Sequence, residues 1–179
     1  GEDGEEKQDN MLWLTTDGRK ASLDFRLINP ETKDNPKSKI NQAIRRIRKL
    51  WSRIPNSVQL VFCDISTPGT EGFTVFDYMK SELIRLGVPE EEVQFIHVWE
   101  DEREEFREQV KEAEIRIAFL STTKGGTGLD MPDRVIAIWE IDVPWNPIQL
   151  EQREGRGIRH GNQFDRILLY RCITAGVNG

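Results

Sequence analysis

The amino-acid sequence predicts an α/β fold in which a mostly parallel sheet carries helices on both faces. Runs of strand length, such as 58–65 and 134–141, carry apolar residues on both faces instead of alternating, which is typical of strands buried between two helix layers. Amphipathic segments with three- and four-residue apolar spacing alternate with these runs. The resulting β-α-β-α-β order favours parallel strands joined by helices.

The first predicted helix begins at Asn35-Pro36, where Asn would cap the helix and Pro would occupy its first position. Its apolar stripe consists of Ile40, Ile44, Ile47, Trp51 and Ile54. A strand over 58–65 follows, and then a helix over 74–86 that ends at Gly87, a residue suited to the left-handed position after a helix.

The second half of the chain continues the same alternation. The predicted elements are a strand at 93–98, a helix at 100–112, strands at 115–120 and 134–141, a short helix from 147 to about 159, and a strand at 166–173.

Length and composition fit one domain with an additional arm. The chain has 179 residues, of which 37% are hydrophobic and 31% charged. We expect residues 1–35 to form a connecting arm, partly disordered, because 1–10 is charged and 30–36 is a Pro-rich loop. Residues 36–179 are expected to form the α/β domain.

Several protein classes are disfavoured by the same sequence. No apolar run approaches the roughly 18 residues of a membrane helix, and the acidic N-terminus does not resemble a signal peptide. Cys63 and Cys172 lie in apolar runs without a CxxC pattern, so we expect reduced thiols and no metal site. These observations predict a cytoplasmic location and no membrane partner.

Charge is unevenly distributed along the chain. The net charge is −6, but residues 36–53 carry seven Lys or Arg and no acid, whereas 100–114 carries eight acids and three bases. A basic face of this kind suits a nucleic-acid backbone, and Arg45, Arg46 and Lys49 are its candidate contacts. The acidic run is expected to be a solvated helix face.

A Gly-rich segment, 121–130, directly follows a predicted strand. Backbone N–H groups of such a loop can form an anion-binding nest, to which Thr122, Thr123 and Lys124 would add phosphate donors. The segment matches neither a Walker A loop nor GxGxxG. An ordinary Gly-rich turn is the alternative interpretation.

A second informative segment runs from Gln152 to Gly161. Arg156 and Arg159 are three residues apart and would point the same way on a helix, while Gly155 leaves room for a large ligand. Two converging guanidinium groups suit a polyphosphate whose transferring group gains charge. The alternative is a solvated basic helix end.

Together these two segments resemble motifs V and VI of superfamily 2 helicases, and the pattern is closest to the Swi/Snf-type translocases. The matching residues are Gly125-Gly126-Thr127-Gly128, Asp142 with Trp145-Asn146-Pro147, Gln152 through Arg159, and Tyr170-Arg171, with QLVFCDIS (59–66) where motif IV stands. The resemblance covers about 58–173. Segments 14–28 and 38–47 also resemble the helicase part of bacterial and phage proteins in which helicase and DNA-methylase domains are fused.

The resemblance implies a RecA-like three-layer domain, the second of two in a motor. Arg156 and Arg159 would be arginine fingers, and Gln152 would position motif VI at the domain interface. Gly128, Asp130 and Gly155 would belong to the interdomain ATP site, with Asp130 linking the nucleotide to the loop that touches the strand. Thr122, Thr123 and Lys124 would contact nucleic-acid phosphates. Lys124 departs from the Ala that Swi/Snf-type proteins usually have before the glycine.

The implied cofactors are ATP and Mg²⁺, with the metal held by a first RecA-like domain. This sequence contains no Walker A lysine, and its one Asp-Glu pair, at 101–102, belongs to the acidic run expected to be a solvated helix face. The implied partners are that domain, nucleic acid with duplex DNA as the expectation, and a fused DNA-methylase domain. One rival is a non-enzymatic helicase remnant that binds DNA or a protein. Another is a Rossmann-type methyltransferase or dinucleotide enzyme, but its Gly-rich loop should follow the first strand.

Overall fold

The computed structural model of this chain describes residues 16–69, 71–122, 133–142 and 162–173. Within them, five strands pair in parallel to form one sheet with the order β2-β3-β1-β4-β5. The strands are β1 (Val58–Phe62), β2 (Val93–Phe95), β3 (Ile117–Leu120), β4 (Val135–Glu140) and β5 (Leu168–Arg171).

Helices cover both faces of this sheet. They are α1 (residues 16–23), α2 (Lys39–Arg53), α3 (Val75–Arg85) and α4 (Arg103–Lys111). Short 3-10 turns occur at Phe25–Leu27, Glu90–Glu92 and Ile96–Val98. Among the described residues, no helix is both long and apolar enough to cross a membrane.

The core has one part on each face of the sheet. Helices α2 and α3 contribute Ile44, Ile47, Phe76 and Met79 to the first part, which packs against Trp139 of β4. Helix α4 contributes Phe106 and Val110 to the second part, on the opposite face. Every residue of β1, β3 and β4 is buried. The predicted α/β fold, with a parallel sheet between helices, is therefore confirmed.

Helix α2 begins one turn later than its sequence pattern predicts. The Ser38 hydroxyl caps the helix by accepting from the backbone N–H of Asn41 at 3.1 Å. Asn35 instead organises a turn before the helix, because its side chain accepts from the Lys37 N–H and its carbonyl from the Ser38 N–H. The predicted start at Asn35-Pro36 is therefore wrong.

The end of α3 agrees with the prediction, since Gly87 adopts a φ of 95° directly after the Leu86 cap. Strand β2 is shorter than predicted because the chain turns into a 3-10 helix at Ile96. Strand β5 departs from the expectation of a strand buried between helix layers. In the described sheet it lies at the edge, where Leu168 and Leu169 are 38% and 39% exposed.

The described part of the predicted arm lies against the domain. Leu23 is 3% exposed and belongs to the core part formed by α2 and α3. Arg26 is 8% exposed and packs over the rings of Phe73 and Tyr78, at 4.4 and 4.1 Å from their centroids. Asp24 holds its guanidinium by ion pairing at 2.7 Å. Contact with the domain is compatible with an arm, and the boundary at residue 35 stays a prediction.

Candidate functional site

Three polar residues follow the three central strands at the point where each strand ends. Asp64 lies just after β1, Thr122 after β3 and Asp142 after β4. Because β3 and β4 flank β1 in a parallel sheet, their carboxyl ends meet at one edge. This edge is where ligands of open α/β sheets bind.

Hydrogen bonds join these residues into what we call the strand-end network, consisting of Asp64, Thr122 and Asp142. The Asp64 carboxylate accepts from the backbone N–H and from the hydroxyl of Thr122, each at 2.6 Å. The Asp142 carboxylate accepts from the backbone N–H groups of Asp64 and Ile65 at 2.8 and 2.9 Å. Hydrogen bonds to ionised carboxylates are stronger than neutral ones. The network therefore fixes Thr122, near the start of the Gly-rich segment, to the ends of β1 and β4.

The strand-end network constrains the role of Thr122. Thr122 is 8% exposed, and its hydroxyl donates to Asp64. A hydroxyl has a single proton to donate, so it cannot donate to a phosphate while it is bound to Asp64. The structure thus places Thr122 at the base of the loop, and its direct contact with a phosphate stays a prediction.

A second contact extends the fixed edge to β2. The ring Nε2 of His97 lies 3.1 Å from the hydroxyl of Ser121, which is 2% exposed. His97 belongs to the 3-10 turn that follows β2 and contacts Phe76 of α3. Polar contacts therefore link the carboxyl ends of β2 and β3 as well as those of β3, β1 and β4.

Strands β4 and β5 are joined beside this edge by a pair of contacts. The Tyr170 ring stacks on Trp139 with centroids 4.0 Å apart, and Arg171 donates from Nε to the fully buried Glu140 at 3.0 Å. Tyr170-Arg171 is the pair that the sequence pattern places at the end of the last strand. The structure thus assigns these two residues to the packing of β5 against β4.

The buried Gln59 connects the same part of the sheet to α2. Its side chain accepts from the indole N–H of Trp139 at 2.9 Å and donates to the carbonyl of Ile47 at 2.9 Å. Both functions of the amide are thereby used in an apolar environment, where an unsatisfied polar group would be costly. Gln59 therefore couples the position of α2 to that of β4.

Lys39, the first residue of α2, lies near the strand-end network. Burial lowers the pKa of its amino group, and the nearby charge of Asp142 partly offsets this effect. The N-terminus of α2 is thus close to the carboxyl edge of the sheet, which brings a cation to that edge.

The candidate nucleic-acid contacts of α2 lie outside the strand-end network. Arg45, Arg46 and Lys49 are all exposed. Arg45 donates to the carbonyl of Pro36 at 2.9 Å, whereas Arg46 lines a cavity between α2 and β5. The side chains of Arg45 and Arg46 therefore lie in different surroundings, although both residues belong to α2.

The other predicted site residues lie outside the described residues: Thr123, Lys124, Gly128, Asp130, Gln152, Gly155, Arg156 and Arg159. The same holds for most of the Gly-rich loop, the Trp-Asn-Pro segment and the predicted helix from 147 to about 159. Their roles stay predictions.

Asp64 was not predicted as a site residue, although it lies within the segment 59–66 that stands where motif IV does. The available signal was an acid directly after a buried strand, at the edge shared with Ser121 and Thr122. In the described ranges, no group of three or more His, Cys, Asp or Glu residues could hold a metal ion. The oxygens of Asp64 and Asp142 instead accept hydrogen bonds from the chain itself.

Fold and edge geometry together define an α/β domain of the class whose ligands bind at the carboxyl ends of a parallel sheet. The family model described as "Helicase conserved C-terminal domain" matches residues 42–161, which is more than half of the chain. The protein therefore belongs to the helicase C-terminal domain family. No curated protein matches the chain at a significant level.

Solved structures support the same fold. The DEAD-box protein SrmB of E. coli, in a complex with the regulator of ribonuclease activity A, is similar at 17% identity and a TM-score of 0.53 over 77% of this chain and 73% of that one. The C-terminal domain of the DEAD-box protein Dbp5 is similar at 18% identity and a TM-score of 0.50, over 72% of this chain and 68% of that one. The C-terminal part of the Fun30 ATPase domain is similar at 20% identity and a TM-score of 0.52, over 86% of this chain but 48% of that one. These similarities confirm the RecA-like α/β fold.

Proposed function

We propose that this domain is the distal half of an ATP-dependent nucleic-acid translocase of superfamily 2, of the Swi/Snf type. The observation that carries the proposal is the strand-end network, in which Asp64 holds Thr122 at the base of the Gly-rich loop. A loop that must respond to nucleotide while it touches nucleic acid needs a fixed origin, and Asp64 supplies one. Membership in the helicase C-terminal family supports the same assignment.

In this proposal ATP lies between this domain and a first RecA-like domain, which holds Mg²⁺. Closure of the two domains brings Arg156 and Arg159 to the γ-phosphate, where guanidinium groups stabilise charge that develops in the transition state. Gln152, Gly155, Gly128 and Asp130 line this domain's side of the cleft. This part of the proposal rests on the sequence pattern alone.

Nucleic acid, with duplex DNA as the expected form, would bind at the loop that begins at Thr122. Thr123 and Lys124 would contact phosphates, and the Gly-rich backbone lets an anion approach closely. The basic helix α2 supplies further positive charge. A fused DNA-methylase domain is the additional partner that the narrower resemblance favours.

The deciding experiment measures DNA-stimulated phosphate release by the two-domain motor. We expect Arg156→Ala to lower turnover by roughly 10³-fold or more, because fingers contribute about that factor. Arg156→Lys should rescue poorly, since Lys lacks the planar fork of Arg. Nucleotide affinity should change much less, because the finger acts mainly on the transition state.

Arg166→Ala is the matched control, since Arg166 is an exposed cation just before β5. It should turn over like the unmodified motor. If Arg156→Ala and Arg159→Ala both stay within a few-fold of the control, Arg156 and Arg159 are surface charges. A non-enzymatic module that binds DNA or a protein would then be the better assignment.

A further inference from the structure

A groove runs along the N-terminal half of α2, between the segment 21–37 on one side and β5 on the other. It consists of two cavities of about 500 and 180 Å³. Lys39, Gln42 and Ile173 line both, so the cavities adjoin and form one continuous depression.

Cations lie along the whole length of this groove. Lys33 and Lys37 stand at the end formed by the segment 21–37, and Lys39 lies in the middle. Arg46 and Arg171 stand at the β5 end. We call this set, Lys33, Lys37, Lys39, Arg46 and Arg171, the cationic groove.

Carboxylates near the groove are held by particular arginines. Among the described residues that line it, Asp24 is the one acid, and it binds Arg26 at 2.7 Å. Glu140 lies fully buried and binds the Nε of Arg171 at 3.0 Å. Lys33, Lys37, Arg46 and Arg171 are nevertheless exposed, so the groove presents positive charge to solvent.

Burial of Lys39 adds a second reason for an anion to bind here. Its pKa is lowered by desolvation, although the charge of Asp142 acts in the opposite direction. A partly desolvated ammonium group loses hydration that a nearby anion can replace. Lys39 is therefore better suited to a negative ligand than a fully hydrated surface lysine is.

The spacing of the cations fits a polymer of phosphates. Lys39 and Arg46 are seven residues apart on α2, which corresponds to about 10 Å along the helix axis. One strand of duplex DNA carries a charge about every 3.4 Å of axis, so this distance spans about three phosphates. A single inorganic phosphate could not contact both ends of the groove.

We infer that the cationic groove binds the phosphate backbone of a nucleic acid, as a contact surface separate from the Gly-rich loop. This inference rests on the proposed function, because it assumes that the motor acts on nucleic acid. The inference also reduces the number of α2 cations that are expected to contact nucleic acid. Arg46 belongs to the groove, whereas Arg45 and Lys49 do not line it.

Two double variants test the groove with equal loss of charge. Lys37→Gln with Arg46→Gln removes two groove cations, and Arg48→Gln with Arg53→Gln removes two exposed cations of α2 that do not line the groove. Each is titrated with a labelled 20-base-pair duplex at 50 and 200 mM salt. Circular dichroism and melting temperature establish that both are folded, as expected for exposed positions.

The groove variant should bind the duplex at least tenfold more weakly at 50 mM salt, while the control variant stays within about threefold. Each phosphate contact makes affinity fall about 3.5-fold more between 50 and 200 mM salt, so two contacts correspond to about 12-fold. Between 50 and 200 mM salt, the affinity of the groove variant should therefore fall about 12-fold less than that of the unmodified chain. The affinity of the control variant should fall as much as that of the unmodified chain.

Equal losses of duplex affinity in the two double variants would overturn the inference that the groove is the contact surface, since the loss of charge alone would then explain the weaker binding. The motor assignment would survive that result, because it is decided by the turnover of Arg156→Ala. Absence of duplex binding by the unmodified chain at 50 mM salt would overturn the groove and remove nucleic acid from the proposed function. Stronger competition by polyglutamate than by unlabelled duplex would overturn the groove in favour of an acidic protein partner.

Discussion

At the scale of single residues, Asp64 connects the end of β1 to Thr122, near the start of the Gly-rich segment. Its carboxylate receives both hydrogen bonds from Thr122, and its own N–H donates to Asp142. Thr122 is one of three residues that the sequence pattern assigns to phosphate contact, and its hydroxyl donates to Asp64. This hydrogen bond holds Thr122 at the end of β1, and its contact with a phosphate stays a prediction.

We expect Asp64→Ala to destabilise the chain by about 3 kcal/mol or more, because it removes the acceptor of two hydrogen bonds, and each bond to a charged group contributes about 1.5–3 kcal/mol. Asp64→Asn, which keeps one acceptor oxygen, should lose about half as much. Urea denaturation measures both, with Asp165→Ala as control because Asp165 is exposed. In a double-mutant cycle with Thr122→Val, additive losses would show that the contact contributes nothing.

If the domain works in a two-domain motor as proposed, the positioning of Thr122 by Asp64 should also affect turnover. At a temperature well below the melting points of all variants, Asp64→Asn should still lower DNA-stimulated turnover, since the loop no longer starts from a fixed point. A purely structural role would shift the denaturation midpoint and leave turnover unchanged at that temperature.

At the scale of elements, most of the fold could be predicted because apolar runs and helical stripes are local patterns. The strands β1, β3 and β4 are buried throughout, as their composition indicates. Boundaries were less predictable, since Asn35-Pro36 forms a turn and Ser38 starts α2. Contacts between distant segments, such as Asp64 with Thr122 or Arg26 with Phe73 and Tyr78, have no local signal.

The segment before α2 is fastened to the domain chiefly by Arg26, whose guanidinium binds Asp24 and covers Phe73 and Tyr78. Asp34, which pairs with Arg26 at 3.2 Å, also accepts from the side chain of Asn41 in α2 at 2.8 Å. The contacts of Arg26 thus connect this segment to α2 and to the region of α3.

Replacing Arg26 should release this segment while the sheet stays folded. We expect Arg26→Lys to raise amide hydrogen exchange at 16–28 by at least tenfold, because Lys lacks the planar group that stacks on both rings. Exchange in β1 and β3 should change little. Lys33→Ala, an exposed cation of the same segment, is the control. Protection at 16–28 that is unaltered by Arg26→Lys would show that Leu23 alone holds the segment.

At the scale of the whole molecule, charge divides between the two faces of the sheet. The basic helix α2 packs on the face of the first core part, and the acidic segment that includes α4 covers the opposite face. A net charge of −6 therefore coexists with an excess of positive charge along α2, which carries no acidic residue. The same asymmetry would orient an approaching duplex toward α2 and away from α4.

Catalysis by this chain should require a partner domain. We expect the purified chain to release no phosphate from ATP, with or without duplex DNA, because its sequence has no Walker A lysine and its one Asp-Glu pair, Asp101-Glu102, is exposed at the start of the acidic helix α4. A steady-state phosphate-release assay measures this, with Arg156→Ala purified in parallel to detect a contaminating ATPase. Addition of the first RecA-like domain in trans should produce DNA-stimulated turnover with the unmodified chain and not with Arg156→Ala. Turnover that Arg156→Ala leaves intact in the two-domain mixture would mean that this domain contributes no arginine to the chemistry, and the half-motor assignment would be lost.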